Sequence, residues 1–364
     1  MSLVSPLVEL FAAHGRDASK SEAATAVGTR DVGDDVLAAS TGVVLADISD
    51  WGHFTLGGRD GAKFLQGLVT NDVVGLAPGA GCRVAFLNVH GRFEAVATVF
   101  SCDGVLVLQT PPAATLWVET FLSKYRRAGD FQFERIADAA AVTLQGPLAG
   151  AVLGEVLGTE PGADSTLWCG VTTFEGVMLR IMRSPRSLAG GYDVVGPADA
   201  VRDLVERVCA KQPEPPVVIG DGALEVLRIE AGIPAYLKDF DADTVLQEID
   251  ESDIVSFNKG CYLGQEIVAR IHFQGQPSKL LRRLIVRGDC VPVAGDEVLA
   301  EDDEKSAGRI TSVAVSPTRG LIVFAMIKRR FYQPGTSVRI RRDDREFKAT
   351  VVERVGAPAT EDAP

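Results

Sequence analysis

Apolar residues in this chain change their spacing twice, at about residues 41 and 278. From 41 onward, alternating apolar and polar positions predict strands over 43–48, 53–56, 83–89, 93–100 and 105–110. His90-Gly91-Arg92 sits between two of these runs and predicts a hairpin. Residues 61–69 (GAKFLQGLV) have helical spacing, and Trp117, Phe121 and Tyr125 fall four apart on a helix predicted over 115–126. The middle of the chain repeats this style. Strands are predicted at 141–145, 177–183 and 191–195, and helices at 147–157, 199–210 and 222–231, the last ended by Gly232 and Pro234. Beyond Gly275-Gln276-Pro277 only short alternating runs remain: 281–287, 296–301, 307–315, 320–327, 336–342 and 346–353. Six such runs with turn residues between them predict a small barrel. Residues 15–40, rich in Ala, Gly, Ser and Asp, read as a weakly ordered or a surface stretch, and the last residues as a frayed tail.

The length of 364 residues suits two compact domains, or two and a small third. With 46% hydrophobic and 24% charged residues the chain is a folding one, not a disordered one. A net charge of −12 argues against stable nucleic-acid binding. Residues 279–355 depart from this, with 16 basic and 11 acidic side chains. That excess is either a patch for a partner or ordinary solvated strand faces. Six scattered cysteines without a CxxC, and four histidines without an HxxxH, do not make a local zinc or iron–sulfur site. They suit a reducing cytoplasm, the expected location. The N-terminus lacks the basic start of a signal peptide, and the most apolar window, 139–158, holds Gln145, Pro147 and Glu155, so no membrane association is expected.

Two places stand out for chemistry. On the helix over 222–231, Ala223, Val226 and Leu227 share one side and Glu225 and Arg228 the other; Glu230 falls in the apolar face. A carboxylate there needs a cation, a donor network or a ligand to offset its desolvation. An internal arginine would satisfy it, and so would the paired N–H donors of a heterocycle such as a pterin. The second place is Asn258-Lys259-Gly260-Cys261-Tyr262-Leu263-Gly264-Gln265-Glu266. Strand-like 254–257 runs into it, and a helix is expected to begin near Tyr262. Cys261 would then lie at a helix N-terminus two residues from Lys259, two features that favour a thiolate. Lys259 and the first helical N–H groups would suit a carboxylate or phosphate. A single cysteine is also an ordinary small core filler, and the polar crowd around this one is what points to function. There is no Walker A loop, no GxGxxG after a strand and no GxSxG.

The run Lys259 to Glu266 resembles the KGCYxGQE signature of the YgfZ family, folate-binding proteins linked to iron–sulfur protein maintenance. Gly67-Leu68-Val69-Thr70-Asn71-Asp72-Val73, Leu227-Arg228-Ile229-Glu230-Ala231-Gly232 and Lys279-Leu280-Leu281-Arg282-Arg283-Leu284 support the likeness, which covers about residues 40–355. The same stretches resemble a wider superfamily with the glycine-cleavage T-protein (aminomethyltransferase) and the folate domains of sarcosine-type oxidases. The resemblance implies an α+β, three-lobed ring: a ferredoxin-like lobe, a second α/β lobe interleaved with it within 1–277, and a C-terminal β-barrel over 278–356. Residues 1–40 would be partly flexible and 357–364 a disordered tail. It implies tetrahydrofolate, or a one-carbon derivative, held by Glu230 at the pterin and Lys259 at the glutamyl tail, with Gly260, Tyr262, Gly264 and Gln265 beside them and Cys261 as the reacting group.

One departure separates the chain from the T-proteins. Where they carry Asn-x-x-Gly-Gly-x-x-Asp-Asp with a catalytic aspartate, this chain has Asn88-Val89-His90-Gly91-Arg92-Phe93-Glu94-Ala95-Val96, so Ala95 and Val96 take the acidic places and Arg83 that of a tyrosine. The expectation is therefore a tetrahydrofolate-binding accessory protein for iron–sulfur enzymes, including tRNA-modifying ones. The alternatives are a folate-dependent aminomethyltransferase or other one-carbon transferase, and a non-catalytic interaction scaffold.

Overall fold

The computed structural model describes residues 5–13, 31–125, 129–136, 138–162, 165–211, 213–250, 252–287 and 291–354. The chain divides into two compact units: Met1–Phe86, Glu94–Leu227 and Asp253–Leu263 in the first, and Leu87–Phe93, Arg228–Ser252 and Gly264–Pro364 in the second. It is an α+β protein with two open sheets and a closed barrel.

The first unit holds a five-stranded sheet in the order Gly81–Leu87, Phe93–Cys102, Val105–Thr110, Gly52–Gly57 and Gln132–Arg135. Helices Gly61–Gln66 and Pro112–Ser123 lie on it. Phe93–Cys102 alternates buried and half-buried residues along nearly its whole length, as a strand with one covered face must. The second sheet has six strands in the order Val217–Val218, Val44–Asp47, Ala139–Gln145, Gly191–Pro197, Val177–Arg183 and Trp168–Phe174. Helices Ala149–Leu157 and Ala198–Cys209 cover it, burying Leu153, Val201, Leu204 and Val208 against Leu45, Val142, Leu144 and Val194. Ile48, Phe100, Cys102, Val107, Ala141, Cys169, Met182 and Val195 form a further core drawn from both sheets.

In the second unit the six C-terminal runs are strands Lys279–Arg287, Glu297–Ala300, Ser306–Ser316, Gly320–Lys328, Ser337–Arg342 and Arg345–Arg354, closed into a barrel. Leu284, Val298, Ile310, Val323, Ile327, Ile340 and Val351 fill its interior. Register shifts near Arg282 and Ile310 supply the local bends that closure requires.

Three expectations are corrected. Residues 32–41 belong to a helix, not to a weakly ordered stretch: Asp31 caps it by accepting from the Gly33 N–H at 2.6 Å, and Val36 and Ala39 are buried. The stretch 254–257 is not a strand; a short 3-10 helix, Ser252–Ile254, leads into a turn. The helix expected near Tyr262 begins at Gln265, after Gly264 in a left-handed conformation. The strands Gln132–Arg135, Trp168–Phe174 and Val217–Val218 were missed: two are very short, and Gly170 interrupts the apolar run of the third. Residues 14–30 and the tail 357–364 lie outside the described residues.

Candidate functional site

The stretch 67–73 and the start of the KGCYLGQE run, some 190 residues apart, are laced together in the first unit. The hydroxyl of Thr70 donates to the Ile254 carbonyl at 2.6 Å and accepts from the Ala85 N–H at 2.9 Å. The Asn71 amide donates to the carbonyls of Asp253 and Arg83 at 2.7 and 3.0 Å. Into this loop reaches Lys259. Its ammonium donates to the carbonyls of Gln66, Val69 and Asn71 at 2.6, 2.6 and 2.9 Å, which uses all three N–H donors. Burial pushes its pKa down to about 8, against the opposing pull of Asp72 and Cys82. Lys259 therefore ties two chain segments together, and an anionic ligand would have to displace a carbonyl to reach its charge.

Other members of the run also have packing tasks. Tyr262 is buried, with its ring centroid 5.1 Å from the Lys259 ammonium, and burial raises its phenol to about 12. Gly264, in the second unit, has φ +83°, and a Cβ there would lie 2.6 Å from the Asn88 carbonyl oxygen. Gln265 opens the helix Gln265–Gln274. Gly260 differs: a Cβ there meets nothing within 4 Å. Cys261 is exposed. It lies four residues ahead of Gln265, outside the first helical turn, and so not at the expected helix N-terminus.

In the second unit the polar cluster after the helix Asp221–Glu230 differs from its helical-wheel reading. Arg228, expected outside, is turned inward with a side chain 11% exposed, and it pairs at 2.9 Å with Asp239, whose side chain is 0% exposed. The Asp239 carboxylate also accepts from the Ala235 N–H at 2.9 Å and the Thr311 hydroxyl at 2.7 Å, while Arg228 donates to the Ser312 hydroxyl at 2.8 Å. Gly232, at φ +69°, reverses the chain so that Ile233 N–H caps the Arg228 carbonyl, and the next turn brings Asp239 back beneath the arginine. The buried acid of this region is Asp239. Glu230 is half-buried and accepts a short hydrogen bond from the Ser316 hydroxyl, which is itself fixed by the Thr318 and Arg319 N–H groups at 3.2 and 2.8 Å.

Ala95 is fully buried, and Val96 shares the opposite, half-buried face with Glu94. Arg83 lies 3.6 Å from Asp253. Around the turn at 88–92 an open groove of about 670 Å³ is lined by Asn88, His90, Arg92, Asp243, Ile267 and Arg270. Among the described residues no three His, Cys, Asp or Glu side chains gather as a metal site, and no helix is long and apolar enough to cross a membrane. The sequence reading missed Thr70, Asn71, Asp239 and Ser316 as partners; Thr70 and Asn71 stand in the stretch it quoted, but nothing local marks the other two.

Comparison with known proteins follows this geometry. Residues 20–259 match the GCVT N-terminal domain, and residues 279–356 the glycine cleavage T-protein C-terminal barrel domain. The chain is 26% identical over 321 residues to the aminomethyltransferase of Bacillus subtilis, covering 86% of this chain and 88% of that one. It is 25% identical over 303 residues to the aminomethyltransferase of Chlorobium luteolum, covering 81% of each. The crystal structure of glycine cleavage system aminomethyltransferase T from Bartonella henselae has the same fold, with a TM-score of 0.86, 20% identity and 96% of both chains covered. With both of its domains matched in order, the chain belongs to the glycine-cleavage T-protein family.

Proposed function

We propose that this protein binds a reduced folate and serves, in the manner of the YgfZ family, as an accessory factor for iron–sulfur enzymes, including tRNA-modifying ones, with Cys261 as its reacting group. One observation carries the reading. Within KGCYLGQE, Lys259, Tyr262 and Gly264 each have a packing task, whereas Cys261 is exposed and its neighbour Gly260 faces open space. A thiol kept at the surface beside a glycine that clears room for an approaching group suits chemistry on a ligand or partner better than packing.

The residues fit tetrahydrofolate in part. Glu230 is a half-buried carboxylate whose known partner is a neutral hydroxyl, so it can accept the N–H pair of a pterin. Lys259 does not fit the glutamyl tail as it stands, because its donors are engaged by carbonyls of the chain. When bound, tetrahydrofolate supplies a one-carbon carrier. The protein's own contribution would be the Glu230 carboxylate that orients the ring and the Cys261 sulfur.

A second reading, an aminomethyltransferase or other one-carbon transferase, is favoured by the name of the curated relatives, which match more than four-fifths of the chain. Against it stand the apolar residues at the acidic places, Ala95 and Val96, whose side chains have no group to take a proton. Two assays separate the readings. Methylenetetrahydrofolate formation from an aminomethyl donor should be absent; turnover there would establish the transferase. Cys261→Ser should retain binding of tetrahydrofolate by calorimetry yet fail to support iron–sulfur enzyme activity in a deletion strain. Full support by that variant would remove Cys261 from the function.

A further inference from the structure

Away from these residues, two cysteines distant in sequence meet in the core of the first unit. Cys102 ends the strand Phe93–Cys102 of the five-stranded sheet, and Cys169 lies in Trp168–Phe174, the edge strand of the six-stranded sheet. Their sulfurs are 2.7 Å apart, with the Cys169 thiol donating to Cys102, and the side chains sit 1% and 2% exposed within the core drawn from both sheets. The approach is inside ordinary non-bonded sulfur–sulfur packing, though longer than the about 2.05 Å of a covalent sulfur–sulfur bond.

The backbone on either side is fixed. The Gly79 N–H donates to the Ser101 carbonyl at 2.7 Å, and the Cys169 N–H to the Gly79 carbonyl at 2.8 Å, so residue 79 joins the two strands next to the sulfurs. A pair held this way needs little backbone movement to bond. The surroundings also supply a charge. Arg180 acts on both thiols and favours their ionised forms, and its Nε is buried with no hydrogen-bond partner among the described residues. The hydrogen bond from Cys169 lowers the Cys102 thiol pKa and raises that of Cys169, which assigns Cys102 the nucleophile's part.

We infer that Cys102 and Cys169 are a redox modification site, closing an intramolecular disulfide that staples the two sheets of the first unit. With a peroxide as oxidant, the Cys102 thiolate attacks one peroxide oxygen, breaks the O–O bond and becomes a sulfenic acid as the leaving hydroxide takes a proton to form water. The Cys169 sulfur then displaces the sulfenic oxygen as a second water. Two thiols and one hydrogen peroxide give one disulfide and two waters. A small peroxide suits a pair this buried better than a bulky disulfide does, and a dithiol reductant reverses the bond.

The test uses the full-length protein in a Cys261→Ser background, so that the exposed thiol does not compete. After hydrogen peroxide, alkylation under denaturing conditions and mass spectrometry should find the peptides containing Cys102 and Cys169 joined, and dithiothreitol should release them. The joined protein should melt about 5–10 °C higher than its reduced form, as a bond closing a long loop predicts. Cys102→Ala and Cys169→Ala should each abolish both effects, and the wild-type pair decides the question should either variant fail to fold. Alkyl label on both cysteines after peroxide treatment, or a joined protein that melts no higher than the reduced one, overturns the proposal.

Discussion

The ammonium of Lys259 lies 2.6 Å from the carbonyl oxygen of Val69, within hydrogen-bonding range of two further carbonyls of the same loop. This contact joins the two most distinctive stretches of the sequence and explains the lysine of the KGCYLGQE run without a ligand. Replacing it as Lys259→Met leaves three carbonyls short of a donor and should cost about 1–3 kcal/mol. The cost should depend on pH. The folded-state pKa is about 8 against an ordinary 10.5, so between these values the unfolded chain keeps a proton that the folded chain has released. Stability from this group therefore rises with pH across that window. Urea unfolding should find the gap between wild type and Lys259→Met widening from pH 8 to 10.5, and a constant gap would mean that the ammonium is not desolvated.

His53 sets a second pH dependence of the same sign in a more acidic window. It is buried 3.3 Å from the Gln109 amide nitrogen, which also donates to Asp193 at 2.7 Å, and burial pushes its pKa down from 6.5 to about 4. The folded state holds it neutral while the unfolded state gains a proton below 6.5. Up to about 3 kcal/mol is therefore present above that pH and lost as it falls toward 4. Asp50 opposes the loss, because burial, Asp221 and Asp47 raise it to about 6, and its protonation favours the folded state as pH falls through that value. His53→Gln should flatten the acid limb of the stability profile relative to wild type. An unchanged limb in unfolding experiments would assign acid sensitivity to other groups.

Arg228 and Asp239 make a buried pair in which each group needs the other. Asp239→Ala strands the guanidinium and should cost about 3–5 kcal/mol. Combining Asp239→Leu with Arg228→Met should recover much of that loss, since two apolar side chains remove both desolvation penalties. A double variant as unstable as the single one would show that the hydrogen bonds to Ala235, Thr311 and Ser312 matter more than the charges.

The two glycines of the KGCYLGQE run should respond differently to a methyl group. Gly264→Ala meets a positive φ and a carbonyl oxygen at 2.6 Å, and should lose more than about 1 kcal/mol. Gly260→Ala points into open space and should stay within about 0.5 kcal/mol of wild type. Thermal unfolding of both variants checks the contrast, and equal losses would refute the separate roles given to them.

Glu230→Gln should weaken binding of tetrahydrofolate by about 1–3 kcal/mol while leaving the melting temperature nearly unchanged, because among the described residues the half-buried carboxylate is held by a neutral hydroxyl. Titration calorimetry reads the first effect and thermal scanning the second. Unaltered affinity would return Glu230 to a local role on Ser316.

Much of this protein was written in local spacing. The six barrel strands, the hairpin around His90-Gly91-Arg92 and the helices at 149–157, 198–209 and 221–230 follow from periods of two and 3.6 residues and from turn chemistry. Those signals are carried by residues a few positions apart. The motif that set the family resemblance was legible for the same reason, being one continuous run. Partnerships were not. The wheel put Glu230 inside and Arg228 outside because it counts only neighbours on one helix. It could not know that the chain turns at Gly232 and returns Asp239 beneath the arginine. Likewise Lys259 read as a free charge for an anion until the loop at 66–71 supplied carbonyls from 190 residues away. Desolvation, hydrogen-bond satisfaction and the meeting of Cys102 with Cys169 depend on which distant segments the fold brings within a few ångströms, and that is decided by tertiary packing alone.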